Sequence, residues 1–227
     1  VGTQVPHAVG FAIGCKLDHE PTAVLVGFGE GATSTGDWHE AMNFAGVFHA
    51  PVVFLCENNQ WAISVPMHAQ VAGTIAARAA GYGFSGVRVD GTDVLSMYAI
   101  IGAAAARARA GDGPYLVEAL TYRTGPHTTS DDPTRYRTEA EGEVWRGRDP
   151  ILRGAERLRA RGALDDEFAA AVAAEAESRA TQMRQAVLAA PVPHPRTVFD
   201  LVFADPPASL IRERDEFVAA LEQGGDA

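Results

Sequence analysis

Two kinds of segment alternate along the first 122 residues of the chain. One kind is a continuous apolar run, which is typical of a parallel strand covered on both faces. The other is small and apolar or has apolar residues at helical spacing, and indicates a packed helix. The predicted strands are the apolar runs at residues 22–28, 51–56 and 115–121 and a short segment at residues 87–90. The predicted helices are residues 6–16, 36–49, 70–80 and 94–110. This alternation predicts an α/β fold with a doubly wound parallel sheet.

The pattern changes after this point. Residues 123–137 are polar and contain proline, so we expect an irregular loop there, and residues 191–195 have the composition of a linker. Further helices are predicted at residues 151–161, 165–189 and 209–221. We therefore predict an α/β domain over residues 1–148, truncated at its amino terminus, and a helical carboxyl-terminal extension over residues 149–227 that serves as a subunit interface.

Composition narrows the classes of partner and compartment. The 227 residues carry 19 basic and 29 acidic side chains, a formal net charge of −10, which argues against nucleic acid or an anionic membrane as a partner. Cys15 and Cys56 form no paired motif, which favours a reducing compartment. No apolar run is long enough to span a membrane, and no signal peptide is recognisable. We expect a bacterial cytoplasmic protein, with the mitochondrial matrix left open because Val1 opens the chain like the interior of a longer protein.

A glycine-rich turn is expected between the first predicted strand and the next helix. Its residues 27–32 (GFGEGA) can bring backbone N–H groups close to a phosphate. The spacing also fits a dinucleotide-binding fingerprint with Glu57 as the ribose-binding acid, so an NAD-binding dehydrogenase of Rossmann type is one alternative. Glu30 argues against it, because its carboxylate would lie beside an anionic pyrophosphate. With Mg²⁺ between the two, the same carboxylate becomes a ligand.

A second polar motif, residues 57–61 (ENNQW), follows the next predicted strand. In a parallel sheet both motifs lie at the carboxyl ends of strands, where open α/β folds bind ligands. One carboxylate, one amide oxygen and one main-chain carbonyl leave room for phosphate oxygens and a water. That combination makes an octahedral, all-oxygen shell of the kind that Mg²⁺ requires.

These two motifs and their flanks resemble the thiamine diphosphate motif of 2-oxo acid dehydrogenase alpha subunits. The matching stretches are GEGATSTGDWHEAMNF at residues 29–44 and CENNQWAISVP at residues 56–66. The resemblance implies that Mg²⁺ is bound by the side chains of Glu30 and Asn59 and by the main-chain oxygen of Trp61. It implies thiamine diphosphate as the cofactor. The residues implied to line it are the metal ligands Glu30, Asn59 and Trp61 together with Gly29, Gly31, Ala32, Ala62, Ile63 and His127.

The predicted loop at residues 123–137 resembles one that brings a histidine to the cofactor in branched-chain alpha subunits. His127 matches that histidine, and the resemblance implies that it contacts the cofactor phosphate and assists acyl transfer to a lipoyl group. An imidazole can do either near neutral pH. Thr128 matches a regulatory phosphoserine of mammalian members. The residues implied to order the loop, by contacts such as Arg–Asp pairing, are Arg123, Asp131, Tyr136 and Arg137.

Several features depart from the family pattern. We expect roughly the first third of the family's length, with an aromatic–Arg pair that grips the cofactor phosphate, to lie outside this chain. Glu57 stands where mammalian branched-chain members carry a phosphate-binding Arg, so we expect phosphate affinity to depend on Mg²⁺ and on the Arg of that aromatic–Arg pair. Thr35 stands where many members carry Glu. Thr3 and Gln4 match residues that hold a structural K⁺ in some members, and an ordinary helix start explains them equally well.

The resemblance as a whole implies the alpha subunit of a branched-chain 2-oxo acid dehydrogenase, which oxidatively decarboxylates 2-oxo acids and transfers the acyl group to lipoyl groups. It implies two alpha and two beta subunits on a lipoyl-bearing acyltransferase core, with a beta-subunit carboxylate completing the active site. The loop sequence GPHTTSDDPTRYR favours branched-chain substrates over the alternatives, pyruvate and acetoin dehydrogenases. A non-catalytic interaction subunit is the alternative from another class, and the intact Glu30, Asn59 and His127 argue against it.

Overall fold

The centre of the fold is a four-stranded parallel sheet. Its strands are β1 (Val24–Gly29), β2 (Val52–Asn58), β5 (Ser85–Asp90) and β6 (Tyr115–Leu120), and a separate two-stranded antiparallel ribbon consists of β3 (Trp61–Ala62) and β4 (Val65–Pro66). The order across the sheet is β1-β2-β6-β5 in this computed structural model, which describes residues 1–224. In the register, Glu57 lies opposite both Gly29 and Ala119, so the carboxyl ends of β1, β2 and β6 meet at one edge.

Helices cover both faces of this sheet. Phe54 of β2 faces a core formed with α1 (Gln4–Leu17) and α2 (Gly36–Phe48). Its neighbour Val53 points the other way, into a second core formed with α5 (Val94–Arg109). Successive strand residues point to opposite faces, so a strand that is apolar throughout fits between two layers of helices. The predicted α/β fold with a doubly wound parallel sheet is confirmed.

The predicted helix at residues 70–80 is wrong. Gly73 interrupts it with a left-handed φ of 76°, which side chains other than glycine adopt at a cost. Thr74 then starts a new helix, because its hydroxyl accepts a hydrogen bond from the N–H of Ala77 at 3.3 Å. The segment contains α3 (Met67–Gln70), α4 (Ile75–Arg78) and a 3-10 helix (Ala79–Tyr82).

The remaining helices follow the loop at residues 123–137, in which only Pro133–Arg135 is regular, as a 3-10 helix. They are α6 (Glu139–Arg146), α7 (Pro150–Ala160), α8 (Asp166–Ala189), α9 (Thr197–Asp200) and α10 (Ala208–Gly224). The three longest were predicted. The sequence pattern misses α6 and α9, because short segments hold too few apolar positions to show a helical period.

Two compact units make up the polypeptide, Val1–Leu164 and Asp165–Ala227. Helix α7 belongs to the first, where both terminal nitrogens of Arg157 donate to the carboxylate of Asp93 at 3.0 and 3.1 Å. The structure therefore places the boundary after α7, whereas the sequence places it before that helix, between residues 148 and 149. Within the described residues, no helix is both long and apolar enough to cross a membrane.

Candidate functional site

A buried carboxylate lies in the turn that follows β1. Glu30 begins a 3-10 helix (Glu30–Ser34) and is only 2% exposed. Its Oε2 accepts a hydrogen bond from the backbone N–H of Asn59 at 3.0 Å. No basic side chain among residues 1–224 forms an ion pair with it. Because a buried charge needs a partner or a metal, Glu30 is a candidate metal ligand.

The turn that follows β2 is folded toward this carboxylate. Gln60 adopts a left-handed φ of 71°, and the N–H of Trp61 donates to Oδ1 of Asn59 at 3.1 Å. Since β1 and β2 are adjacent parallel strands, both turns leave the same edge of the sheet. The structure thus brings together Glu30, Asn59 and Trp61, the three residues predicted as metal ligands. Their metal-binding role stays a prediction.

The donor atoms at these turns suit a hard divalent cation. Over the part of the chain that the structure describes, no three His, Cys, Asp or Glu side chains converge on a possible metal position. A metal here must draw on carboxylate, amide and main-chain oxygens, which are the ligands that Mg²⁺ prefers. Oδ1 of Asn59 retains one lone pair after accepting the N–H of Trp61. The residues present therefore fit a magnesium ion.

The predicted cofactor-lining residues at the two turns differ in burial and in backbone conformation. A Cβ atom built on Gly31 would lie 3.1 Å from Cβ of Ala62, so the two turns approach each other closely at a glycine. The side chain of Ala32 is buried in the apolar core, which leaves its backbone as the part that can face a ligand. Ile63, in contrast, is 58% exposed and has a left-handed φ of 57°. Gly29 ends β1 directly before Glu30.

Arg123 ties the loop to the ribbon that follows the Asn59 turn. Its guanidinium donates from Nη1 to the main-chain oxygen of Trp61 at 2.9 Å and from Nη2 to that of Ile63 at 2.6 Å. Nη2 also donates to the hydroxyl of Tyr136 at 2.9 Å, and the ring of Tyr136 lies 5.1 Å from that of Trp61. The Arg123 side chain therefore joins the segment that follows Asn59 to the loop residue Tyr136.

Asp131 continues this network to His127. Its Oδ2 accepts hydrogen bonds from the backbone N–H of His127 at 2.8 Å and from the hydroxyl of Tyr136 at 2.6 Å. These two donors, the His127 N–H first, hold the pKa of Asp131 below its ordinary value. The imidazole of His127 is exposed and forms no hydrogen bond with the described residues. The backbone at His127 is thus fixed, while the ring is available.

Arg137 holds the two ends of the loop together. Its guanidinium donates to the main-chain oxygens of Thr124 at 2.8 Å and Gly125 at 2.9 Å, and also to that of Arg123. It lies over the ring of Tyr122, 5.3 Å from the centroid. All four residues predicted to order the loop therefore take part in contacts across it. Whether a cofactor changes that order stays a prediction.

Other predicted positions lie at the rim of this edge. The side-chain amide of Gln4 donates to the main-chain oxygen of Gly27 at 3.2 Å, while Thr3 is exposed, and a K⁺ site there stays a prediction. Thr35, which the sequence left unexplained, donates from its hydroxyl to the main-chain oxygen of Ala32 at 2.8 Å. That bond closes the 3-10 turn that begins at Glu30. Glu57 is exposed at the end of β2.

Two polar side chains that support the turns are not found by motif analysis. Nη1 of Arg78 donates to the main-chain oxygen of Thr33 at 2.9 Å, which ties α4 to the Glu30 turn. Glu118 is fully buried in β6 and accepts a hydrogen bond from the side chain of Asn58 at 2.7 Å. The available signal for Glu118 is a lone charge inside the apolar run YLVEALT.

Comparison with known proteins gives the family context. The chain is 48% identical over 222 residues to the 3-methyl-2-oxobutanoate dehydrogenase subunit alpha of Mycobacterium tuberculosis, which covers 97% of this chain and 60% of that protein. It is 42% identical over 205 residues to the 2-oxoisovalerate dehydrogenase subunit alpha of Bacillus subtilis, covering 90% and 62%. It is 38% identical over 228 residues to the mitochondrial 2-oxoisovalerate dehydrogenase subunit alpha of Bos taurus, covering 100% and 50%.

The chain therefore spans about half to three fifths of the length of these relatives. The pattern of the dehydrogenase E1 component family matches residues 1–196, which is well over half of the chain. This match includes both turns and the loop of the candidate site. The chain belongs to the dehydrogenase E1 component family.

Proposed function

We propose that this chain is the thiamine diphosphate- and magnesium-binding part of the alpha subunit of a branched-chain 2-oxo acid dehydrogenase. The complete enzyme oxidatively decarboxylates 2-oxo acids such as 3-methyl-2-oxobutanoate and transfers the acyl group to a lipoyl group. The names and identities of the relatives support this proposal. The observation that carries it is the buried Glu30 carboxylate, which accepts a hydrogen bond from the Asn59 turn and has no ion-pair partner among the described residues.

In this proposal the metal is held by this chain's own oxygen atoms. Glu30 supplies a carboxylate oxygen, Asn59 supplies Oδ1 and Trp61 supplies its main-chain oxygen. The hydrogen bond from Arg123 to that main-chain oxygen is compatible with a metal, because a carbonyl oxygen has two lone pairs. A metal held by these oxygen atoms would neutralise the charge of a diphosphate that otherwise faces the Glu30 carboxylate.

The cofactor and the residues of this chain contribute different parts of the proposed chemistry. Thiamine diphosphate, when bound, supplies the nucleophilic carbon and the electron sink for decarboxylation. The chain anchors the diphosphate at the carboxyl edge of the sheet. The carboxylate of Asp131 fixes the backbone of His127 by accepting its N–H. The imidazole of His127 then delivers a proton to the lipoyl sulfur that leaves during acyl transfer.

The same proposal extends to assembly and location. We propose a complex of two alpha and two beta subunits, docked on a lipoyl-bearing acyltransferase core, in which residues 149–227 contribute a subunit interface. Several apolar side chains of α8 are exposed, among them Val172, Met183 and Val187, which supports an interface role. A location in the bacterial cytoplasm, and partners other than nucleic acid or membranes, are part of the proposal.

Replacement of Glu30 tests the proposed site. In the complete gene product, assembled with its proposed beta subunit, Glu30→Gln should weaken calorimetric binding of thiamine diphosphate with Mg²⁺ at least about 30-fold, or about 2 kcal/mol. Glu40→Gln is the matched control, since Glu40 is exposed on α2. NAD without metal should not bind. Unchanged cofactor binding in Glu30→Gln would contradict the metal-ligand assignment.

A further inference from the structure

A second buried carboxylate lies behind the candidate site, in the middle of the sheet. Glu118 is 0% exposed, and its Oε1 accepts a hydrogen bond from Nδ2 of Asn58 at 2.7 Å. Its Oε2 accepts the backbone N–H of Ala76 at 2.8 Å, at the start of α4. Nε of Arg88, on β5, lies 3.5 Å from Oε1. Three different elements therefore meet at this carboxylate.

Glu118 determines which way the amide of Asn58 faces. A carboxylate can only accept, so Asn58 must turn its NH₂ group toward Glu118 and its Oδ1 away from it. There Oδ1 accepts the backbone N–H of Gln60 at 3.1 Å. This local bond supports the left-handed φ of 71° at Gln60, a conformation that a free chain adopts only rarely.

The turn held in this way is the one that carries the proposed metal ligands. Gln60 lies between Asn59 and Trp61, so the orientation of its peptide determines where Oδ1 of Asn59 and the main-chain oxygen of Trp61 come to lie. The same turn is attached to the end of β6, because the side chain of Gln60 donates to the main-chain oxygen of Thr121 at 2.9 Å. The contacts of Glu118 therefore reach the proposed ligands through two intermediate residues, Asn58 and Gln60.

We propose that Glu118 is a positioning residue of the magnesium site, acting through Asn58 on the turn that presents Asn59 and Trp61. The inference rests on the proposed function, since it takes this turn to be the one that binds Mg²⁺. Residues that orient metal ligands from behind typically change metal affinity by about 10- to 100-fold when they are replaced.

A purely structural role would give a different pattern of effects. Glu118 could instead serve only to anchor α4 through Ala76 and the sheet through Arg88. The orientation of the Asn58 amide separates the two roles. In Glu118→Gln the introduced oxygen stays with the Ala76 N–H, so the introduced NH₂ meets the NH₂ of Asn58. If Asn58 rotates to avoid this, its NH₂ meets the N–H of Gln60 instead, and the turn is disturbed either way.

The double change Glu118→Gln with Asn58→Asp reverses donor and acceptor and keeps the net charge. The introduced amide then donates to the introduced carboxylate, whose other oxygen accepts the N–H of Gln60. Arg88→Gln is the matched control, because it removes another partner of Glu118 and leaves Asn58 untouched. If Glu118→Gln does not fold, Asn58→Ala is the second variant. It removes the amide that links Glu118 to Gln60, and it leaves the hydrogen bond from the Ala76 N–H to Glu118 intact.

The experiment is calorimetric titration of the complete gene product, assembled with its proposed beta subunit, with Mg²⁺ at saturating thiamine diphosphate. Glu118→Gln should weaken Mg²⁺ affinity about 10- to 100-fold, while the double variant and Arg88→Gln stay within about threefold of wild type. Amide hydrogen exchange of Gln60, measured without metal, should rise in Glu118→Gln and return to the wild-type rate in the double variant.

The outcomes separate this inference from the proposed function. Wild-type protein that binds no Mg²⁺ would overturn the proposed function and this inference together. Wild-type binding with unchanged affinity in Glu118→Gln would overturn the inference alone, and so would a double variant that restores neither affinity nor exchange. A loss in Arg88→Gln as large as that in Glu118→Gln would assign the effect to the anchoring contacts and overturn it as well.

Discussion

Trp61 accepts a hydrogen bond at its main-chain oxygen from Arg123, with 2.9 Å between that oxygen and Nη1. This bond joins the turn proposed to hold the metal to the loop that carries His127. The other terminal nitrogen of Arg123 donates to Tyr136, which in turn donates to Asp131. A shift in the Trp61 carbonyl is therefore expected to loosen the loop, and order in the loop is expected to hold that carbonyl in place.

Removal of the Arg123 guanidinium should loosen the loop at residues 123–137. Hydrogen bonds to charged groups contribute about 1.5–3 kcal/mol, so Arg123→Ala should speed amide hydrogen exchange in this loop at least about 10-fold. In the wild type, thiamine diphosphate with Mg²⁺ should slow this exchange, and the variant should show a smaller cofactor effect. Arg135→Ala is the control, because Arg135 is an exposed arginine of the same loop. Equal exchange in the two variants would contradict the role of Arg123.

The buried thiol of Cys56 should show an unusual pH dependence. Burial, reinforced by the negative charges of Glu118 and Glu30, raises the pKa of Cys56 above its ordinary value of 9.0. Since the thiolate is the reactive form, native Cys56 should react with a disulfide reagent much more slowly than the unfolded chain. In a Cys15→Ser background its rate should still be rising above pH 9, because a raised pKa moves the plateau upward. A plateau near pH 9 in the native protein would contradict this expectation.

Two helical glycines give opposite expectations for the same substitution. A Cβ atom on Gly46 in α2 would overlap the main-chain oxygen of Tyr82, whereas one on Gly14 in α1 would meet no atom within 4 Å. Gly46→Ala should lower the free energy of unfolding by about 1–3 kcal/mol through overpacking. Gly14→Ala should raise it by about 0.5–1 kcal/mol, because alanine loses less backbone entropy in a helix. Urea unfolding of both variants measures the difference, and changes of the same sign would contradict the prediction.

Local sequence patterns were sufficient to predict the sheet and the turns at its edge. Apolar runs at residues 22–28, 51–56 and 115–121 locate β1, β2 and β6, and the short segment at residues 87–90 locates β5, in which apolar and charged residues alternate. The turn at Glu30 and the turn at Asn59 follow two of these runs directly, and parallel pairing then brings them together. The helix predicted at residues 70–80 is wrong because small apolar residues keep a helical spacing on both sides of Gly73, so the spacing does not reveal the break there.

Contacts that depend on strand register were not predictable in this way. Glu118 and Asn58 are 60 residues apart in the sequence, and they meet only because β6 pairs with β2 in one register. Arg78 reaches the main-chain oxygen of Thr33 from a helix that the pattern places wrongly. The loop residues could be named by resemblance, but the order in which Arg123 and Asp131 connect Trp61 to His127 required coordinates.

Loss of the His127 imidazole should separate the two half-reactions of the proposed enzyme. Decarboxylation depends on the cofactor, whereas transfer to the lipoyl group needs a proton at the leaving sulfur. A general acid typically contributes about 10²–10⁴-fold, so His127→Ala should reduce the lipoyl-dependent rate by about that factor. Decarboxylation with an artificial electron acceptor should fall less. His7→Ala is the control, because His7 is an exposed histidine of α1 and is not part of the loop sequence.

Cofactor binding must be kept equal for this comparison to report on proton transfer. An imidazole near a diphosphate also contributes to affinity, so both rates should be measured at saturating thiamine diphosphate and Mg²⁺. Because the backbone of His127 is held by Asp131 and not by its ring, the substitution should leave the loop in place. Unchanged amide exchange over residues 123–137 would verify this. If the two rates then fell by the same factor, His127 would be a cofactor-positioning residue and not the proton donor for acyl transfer.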